Sequence, residues 1–345
     1  MNIALVGAGR IGTVHAGNLA ADARVDEIRI TDIHQANAES LAASLGGVGA
    51  TVGAVADPAA LIDRADALVI ASSTDSHAEL IVLGAEKRIP IFCEKPISLD
   101  LLETERALKA VAESGIRLQM GFQRRFDRGF AEIQRLVQSG SLGRVYTARL
   151  ATHDPSPPSA AYLASSGGLF SDMLIHDFDL LRWTTGQEVV QVYATGGRLT
   201  GDPVSESVCD IDTAAVIATL EEGAVAVITG ARHHALGHDV RLEVLGSNDS
   251  VVSGIGDRSP LRFVPDGDSE IGGWPEIQPK HADFQTRFED AYRAELREFI
   301  SVISSGTAGT QVAANGENAR EALRIATAAQ LSWAERRPVD LSEIT

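Results

Sequence analysis

A short apolar run at residues 2–6 leads into Gly7-Ala8-Gly9-Arg10-Ile11-Gly12, and residues 13–21 then have helical composition. This is G-x-G-x-x-G between a strand and a helix, and few short patterns restrict a fold so closely. Gly7 allows the tight turn, Gly9 lets the backbone approach a pyrophosphate, and Gly12 permits close packing of helix on strand. The helix start offers free N–H groups to the anion, and Arg10 and Ile11 lie in the same cofactor-facing turn. The pattern also requires an acid about 20 residues further on, at the end of the next strand. Residues 27–31 alternate as a strand, and Asp32 ends it. Its carboxylate suits the adenosine ribose hydroxyls and would repel a 2′-phosphate, so NAD is expected over NADP. Arg10 and His34 are near enough to soften that preference. Asp32 can also cap the helix that begins at Gln35, and the two roles are compatible.

The alternation continues. Helices are expected at 36–45, 58–62, 76–87 and 101–114, with strands near 50–52, 67–71, 91–93 and 117–120. Strands alternating with helices imply a doubly wound parallel sheet with right-handed crossovers. Ligands of such sheets bind beyond the carboxyl ends of the strands. Ser72, Ser73 and Thr74 stand at one such end and can hydrogen-bond a cofactor. His77, in the next helical turn, either touches the cofactor or is a local helix-end histidine. Ile91-Phe92-Cys93 is a buried strand that ends in Glu94-Lys95-Pro96. Lys95 then stands at the mouth of the site, or is simply a solvated loop lysine.

After Gly121 the rhythm changes. A helix at 126–138 and a strand at 144–152 precede the proline-rich loop 154–158. Gly167-Gly168 opens a helical segment at 170–185. Strands are expected at 189–195, 210–220, 224–232, 241–245 and 251–252, then a surface excursion at 257–280 and closing helices at 284–304 and 317–336. The fold class is therefore α/β: an N-terminal Rossmann domain at 1–121, and an α+β domain at 122–345 with an open-faced, largely antiparallel sheet. The closing helices are candidates to pack back on the first domain. One face of such a sheet needs water or a partner, so a homo-oligomer, dimer or tetramer, is expected through it.

Formal net charge is −17, which disfavours nucleic acid and anionic membrane surfaces as partners. No run of 18 apolar residues exists, and residues 1–6 do not read as an export signal. Two cysteines, Cys93 and Cys209, show no pairing or metal spacing. Together these features lead us to expect a cytoplasmic protein.

Oxidising an alcohol with NAD needs a base for the hydroxyl proton and a positive or donating group for the oxygen. Asp172 and His176 are four apart in an expected helix and share a face, with Asp179 roughly continuing it. A histidine paired with a carboxylate on a semi-apolar face suits a general base. Surface pairing or a purely structural pair fits the spacing equally well. His233, His234 and His238 lie elsewhere, but no metal-binding motif supports a metal site, so none is expected.

The chain resembles the glucose-fructose oxidoreductase/inositol dehydrogenase (Gfo/Idh/MocA) family over nearly its whole length. The resemblance is carried by the glycine fingerprint, Glu94-Lys95-Pro96, the run from Gly121 to Asp127 (GFQRRFD), Gly167-Gly168, and the run from Asp172 to Asp179 (DMLIHDFD). Within the family, the chain resembles the bacterial inositol 2-dehydrogenases, a resemblance that also uses the run at 238–246. The resemblance implies that Lys95, Asp172 and His176 are catalytic: His176 accepts the proton, Asp172 orients, and Lys95 steadies the oxygen and contacts the cofactor. It implies that Glu94 meets the nicotinamide ribose. Arg124 is read as meeting both cofactor and substrate, and His153, Asp154 and His238 as contacting a polyol; each of the four fits a loop or interface residue equally well. Many members carry asparagine near the position of His153-Asp154 and tyrosine where His238 stands, so the substrate isomer is open. The implied activity is NAD-dependent oxidation of a cyclic polyol, foremost myo-inositol to 2-keto-myo-inositol (scyllo-inosose). The rivals are another inositol isomer or sugar as substrate, and a non-catalytic nucleotide-sensing regulator.

Overall fold

The computed structural model describes residues 1–57, 61–201, 210–255, 260–261, 281–306 and 312–344. The described chain divides into two units, one of residues 1–128 and 289–324, the other of 129–288 and 325–344. The first unit therefore takes in part of the C-terminal helical region, residues 289–324.

In the first unit, β1 (Asn2–Val6), β2 (Glu27–Thr31), β3 (Thr51–Ala54), β4 (Ala67–Ile70), β5 (Ile91–Glu94) and β6 (Leu118–Gly121) form one sheet. Its order is β3-β2-β1-β4-β5-β6, and every pair is parallel. Strands β4, β5 and β6 are buried at every residue, as expected of strands covered on both faces. Helices α1 (Arg10–Ala20), α2 (Gln35–Ser44), α3 (His77–Glu86) and α4 (Leu101–Ser114) make the crossovers. Asp100 caps α4 by accepting from the Leu102 and Glu103 N–H groups, and Gly115 in the left-handed region ends it. The helix expected at 58–62 falls mostly outside the described residues.

Helix Glu289–Ser305 completes this unit. Its Leu296, Phe299 and Ile300 share one core with Ile3, Leu5, Leu19 and Ile28. The Gly121–Asp127 run supplies part of the attachment. Gln123 donates to the Tyr292 hydroxyl at 3.0 Å, and Arg125 to Asn318 at 3.4 Å. Residues that look like a site motif in the sequence thus also fasten the C-terminal helices.

The second unit has a seven-stranded sheet: β7 (Val145–His153), β8 (Val189–Gly197), β9 (Thr213–Leu220), β10 (Val225–Ala231), β11 (Asp239–Gly246), β12 (Ser250–Ser253) and β13 (Val339–Asp340). The order is β12-β11-β7-β10-β9-β8-β13, antiparallel except for β7 with β10. The short edge strand β13 was not foreseen. Helices α5 (Arg128–Gln138), α6 (Ala160–Leu163) and α7 (Ile175–Thr185) accompany it.

Strand alternation assigns the faces. In β10, Ala226, Ile228 and Gly230 are buried, whereas Val225 and Val227 are exposed. The buried face meets the α7 region. Thr152 donates to both carboxylate oxygens of Asp177, and a Cβ on Gly230 would lie 2.8 Å from Leu174. The opposite face leaves Tyr146, Tyr193, Ile217, Val225, Val227, Leu245 and Val252 exposed. No described helix is long and apolar enough to cross a membrane.

Candidate active site

The glycine fingerprint builds a cradle. Gly7 has φ +104°, and a Cβ there would lie 2.4 Å from the Ala71 carbonyl oxygen. A Cβ on Gly12 would lie 2.1 Å from the Gly7 carbonyl oxygen. Gly9 differs: nothing lies within 4 Å of its Cβ position. Two glycines are therefore required by the fold itself, and the third faces open space. Gly9 also precedes α1 with no side-chain cap, and the first turn carries no acid. Uncapped N–H groups beside open space fit a pyrophosphate.

Asp32, just past the end of β2, engages the chain on both sides, although its side chain does not cap α2. Its carboxylate accepts from the Ala8 N–H at 2.7 Å and the His34 N–H at 2.8 Å, and Asn37 adds a weaker bond at 3.4 Å. One side chain ties the glycine loop to the start of α2 and places a negative charge at the end of β2.

The hydroxyls after β4 are locally engaged. Ser72 pairs with Ser76 at 2.7 Å, Ser73 donates to Asp75 at 2.5 Å, and Thr74 opens a short 3₁₀ turn. His77 is buried. Its Nδ1 lies 2.7 Å from the Pro96 carbonyl oxygen and its Nε2 3.1 Å from that of Ser72. The ring thus sits between the loop after β4 and the loop that carries Lys95, and in neutral form it donates to only one of the two carbonyls. Burial lowers its pKa, against the raising effect of the two carbonyls, which favours a neutral ring donating one N–H.

Lys95 follows β5, is half-buried, and forms a cis peptide bond with Pro96. Glu94 is held from the other side. Its Oε1 lies 2.7 Å from His15 Nε2, and a Cβ on Gly121 would come within 2.8 Å of its Oε2. His15 is fully buried and packs edge-on against Phe92. The sequence reading missed this partner, although a histidine on the inward face of α1 was its available signal. Arg124 is buried in the 3₁₀ turn Gln123–Phe126 after β6.

In the second unit, Gly167 and Gly168 both have positive φ and lead into a π-helical turn, Phe170–Leu174, which passes into α7. The sequence reading expected one regular helix here. Wide turns of this kind occur often at functional sites. Asp172 lies within the π turn and His176 in the first turn of α7, both half-buried. Tyr162 donates to Asp172 Oδ1 at 2.8 Å, and Arg232 Nη1 lies 3.4 Å from its Oδ2. Asp179 is buried in α7.

The polyol contacts expected from the sequence are placed apart. His153 ends β7 on the opposite face of the sheet from Asp172 and His176, beside Thr229 and Asp239. The reason is parity: Thr152 points to α7, so its neighbour points away. This placement corrects the grouping of His153 with the α7 residues. His153, His234 and Asp239 offer three potential metal-ligand atoms within 4.8 Å of one another. Arg241 Nε already lies 3.1 Å from Asp239 Oδ1 and neutralises that carboxylate, so we assign no metal there. Asp154 and His238 do come together. Asp154 Oδ1 lies 2.9 Å from His238 Nδ1, and His238 packs edge-on against Phe288.

Comparison with known proteins follows the two halves. Residues 1–122 match the model of the oxidoreductase family with an NAD-binding Rossmann fold, and residues 130–252 match the GFO/IDH/MocA C-terminal domain. The chain belongs to the Gfo/Idh/MocA family. This Gfo/Idh/MocA protein is 34% identical to the myo-inositol 2-dehydrogenase of Thermotoga maritima, over 100% of this chain and 99% of that one. It is 36% identical to the inositol 2-dehydrogenase of Rhizobium meliloti, over 98% of each. Among solved structures it is similar to the scyllo-inositol dehydrogenase of Lactobacillus casei with bound NAD(H) and scyllo-inositol. That match has a TM-score of 0.84 at 26% identity and covers 99% of this chain and 98% of that one. As a family member this chain is an NAD-dependent oxidoreductase, and the glycine cradle and Asp32 fit that cofactor.

Proposed function

We propose that this protein oxidises one secondary hydroxyl of an inositol, foremost myo-inositol at carbon 2, giving the 2-keto product scyllo-inosose. Bound NAD supplies the hydride acceptor. His176 takes the hydroxyl proton, Asp172 orients the hydroxyl or the base, and Lys95 steadies the oxygen as charge develops. Glu94 and Arg124 serve the nicotinamide side, with Ser72, Ser73, Thr74 and His77 shaping the cofactor floor. Asp154 and His238 are the remaining candidates for reading the other hydroxyls. The reading is carried by similarity to relatives named for myo-inositol, over 100% of this chain, and for scyllo-inositol, over 88% of it. Because those names include both isomers, scyllo-inositol is the second substrate to test.

We further propose that copies associate through the exposed face of the second sheet, supported by its run of solvent-facing apolar side chains, and that the enzyme is cytoplasmic and serves inositol breakdown. The deciding measurement is NADH absorbance with purified protein, NAD and a panel of inositols and sugars. Turnover of inositols above aldoses is expected. Turnover of glucose or xylose alone would overturn the substrate assignment, and no turnover with any polyol would overturn the enzyme reading.

A further inference from the structure

Arg232 follows β10 and is the largest fully buried side chain described. A cation at 1% exposure needs counter-charge, because desolvation of an unpaired charge is costly. Two carboxylates supply it. Nη1 lies 3.4 Å from Asp172 Oδ2, and Nη2 lies 3.4 Å from Asp210 Oδ2. Asp210 is in turn fastened to the start of the π turn: its Oδ1 accepts from the Leu169 N–H at 3.2 Å, and a Cβ on Gly168 would lie 2.9 Å from the same oxygen. On the far side of Asp172, the Tyr162 hydroxyl donates to Oδ1. The backbone closes the frame, since the Arg232 N–H donates to the Asp212 carbonyl at 2.8 Å.

We infer that Arg232 is a positioning residue for the reaction: with Asp210 behind it and Tyr162 opposite, it holds Asp172 ionised and in one orientation. The inference rests on the proposed catalytic role of Asp172. The chain spacing does not reveal it, because Arg232 and Asp210 lie 60 and 38 residues away from Asp172. Among the groups set against Asp172 are Tyr162 from α6 and Arg232 from the end of β10, with Asp210 behind the guanidinium. His176 follows on its own helix, and His233 follows Arg232 in the chain. Only the guanidinium among these is permanently cationic, so it has the greatest hold on the charge of Asp172. Ionised, Asp172 can only accept hydrogen bonds. That suits a group that orients a donor, whether the substrate hydroxyl or the imidazole, and not one that delivers a proton.

The sign of the effect gives a test that a purely structural arginine would not pass. Removing the cation raises the pKa of a neighbouring carboxylate, and removing a competing carboxylate lowers it. The measurement is kcat/KM for myo-inositol against pH, with NAD affinity and thermal midpoint followed alongside. Arg232→Met should lower kcat at least about tenfold and move the acidic limb up by about one pH unit. Arg232→Lys should fall between it and wild type, because one ammonium cannot reach both carboxylates in the same geometry. Asp210→Asn keeps an oxygen for the Leu169 N–H and should move the limb the other way. NAD affinity should stay within about twofold throughout.

If Arg232→Met does not fold, Arg232→Lys and Asp210→Asn decide alone. Acidic limbs that coincide with wild type in both variants would overturn the inference. Asp172→Asn separates the two levels. If it is inactive while the arginine variants keep the wild-type profile, only the role of Arg232 falls. If it turns over normally, the role of Asp172 falls, and this inference with it.

Discussion

Gly9 and Gly12 are three residues apart in one motif, yet the structure predicts opposite outcomes for the same substitution. Gly9 has φ −76° and ψ −165°, extended backbone open to any residue, and nothing stands within 4 Å of its Cβ position. In Gly9→Ala, the lower entropy of the unfolded chain, about 0.4–1 kcal/mol in favour of folding, offsets the poorer helix cap that alanine makes. Stability should change by no more than about 0.5 kcal/mol, within the usual range for a surface substitution. The new methyl occupies the open space before α1, where a pyrophosphate would approach. NAD affinity should weaken about 10- to 100-fold, or about 1.4–2.8 kcal/mol. Gly12→Ala drives a methyl to 2.1 Å from the Gly7 carbonyl oxygen. The clash is between the helix and the backbone of the preceding turn, so the backbone must move, and overpacking of this kind costs about 1–3 kcal/mol. Calorimetric NAD binding and urea unfolding of the two variants provide the test. A Gly9→Ala protein that binds NAD like wild type would refute the reading of that space as the pyrophosphate site. Equal loss of stability in both variants would refute the assignment of separate jobs to the two glycines.

The remaining predictions concern other parts of the molecule. Asp32→Ser should reduce the preference for NAD over NADP in kcat/KM at least about tenfold; an unaltered ratio would contradict a ribose-facing role for Asp32. Lys95→Ala should retain NAD binding and lose at least about 100-fold in kcat, in line with the loss of one preorganised electrostatic group; unchanged turnover would remove Lys95 from the mechanism. Burial lowers the His77 pKa below the ordinary 6.5 of the unfolded chain, so the unfolded state binds more protons as pH falls through that value. The corresponding stability is present above pH 6.5 and is lost below it, at no more than about 1.4 kcal/mol per pH unit. His77→Gln should flatten that part of the stability profile, and superimposable wild-type and variant slopes would refute burial of a neutral His77 as its source. Ile217→Glu with Val227→Glu should shift the protein to smaller species in light scattering if the open sheet face joins copies; an unchanged mass would place the interface elsewhere.

Much of the first unit was legible because its signals are short-range. A glycine needed for a left-handed turn, an acid closing the next strand and fully apolar strands between helices are all set within about thirty residues. The parallel sheet order confirmed that reading. The π turn was not legible. Residues 170–185 have ordinary helical composition, and the widened turn leads from Gly167-Gly168 at a point where Asp210 holds the Leu169 N–H. Nor was the double duty of the Gly121–Asp127 run. Gln123 and Arg125 reveal their partners only when Tyr292 and Asn318 return to the same unit.

By itself, then, the sequence determined the nucleotide cradle, the two-part architecture and the residue types available for the chemistry, because these follow from local conformation and strand–helix periodicity. Tertiary structure alone decided which side chains meet. His153 turns away from α7 because strand register gives adjacent residues opposite faces, and one residue of parity reverses the outcome. His15 reaches Glu94 across 79 positions, and Arg232 reaches Asp172 across 60, because a buried charge must be paired by whatever the fold brings beside it.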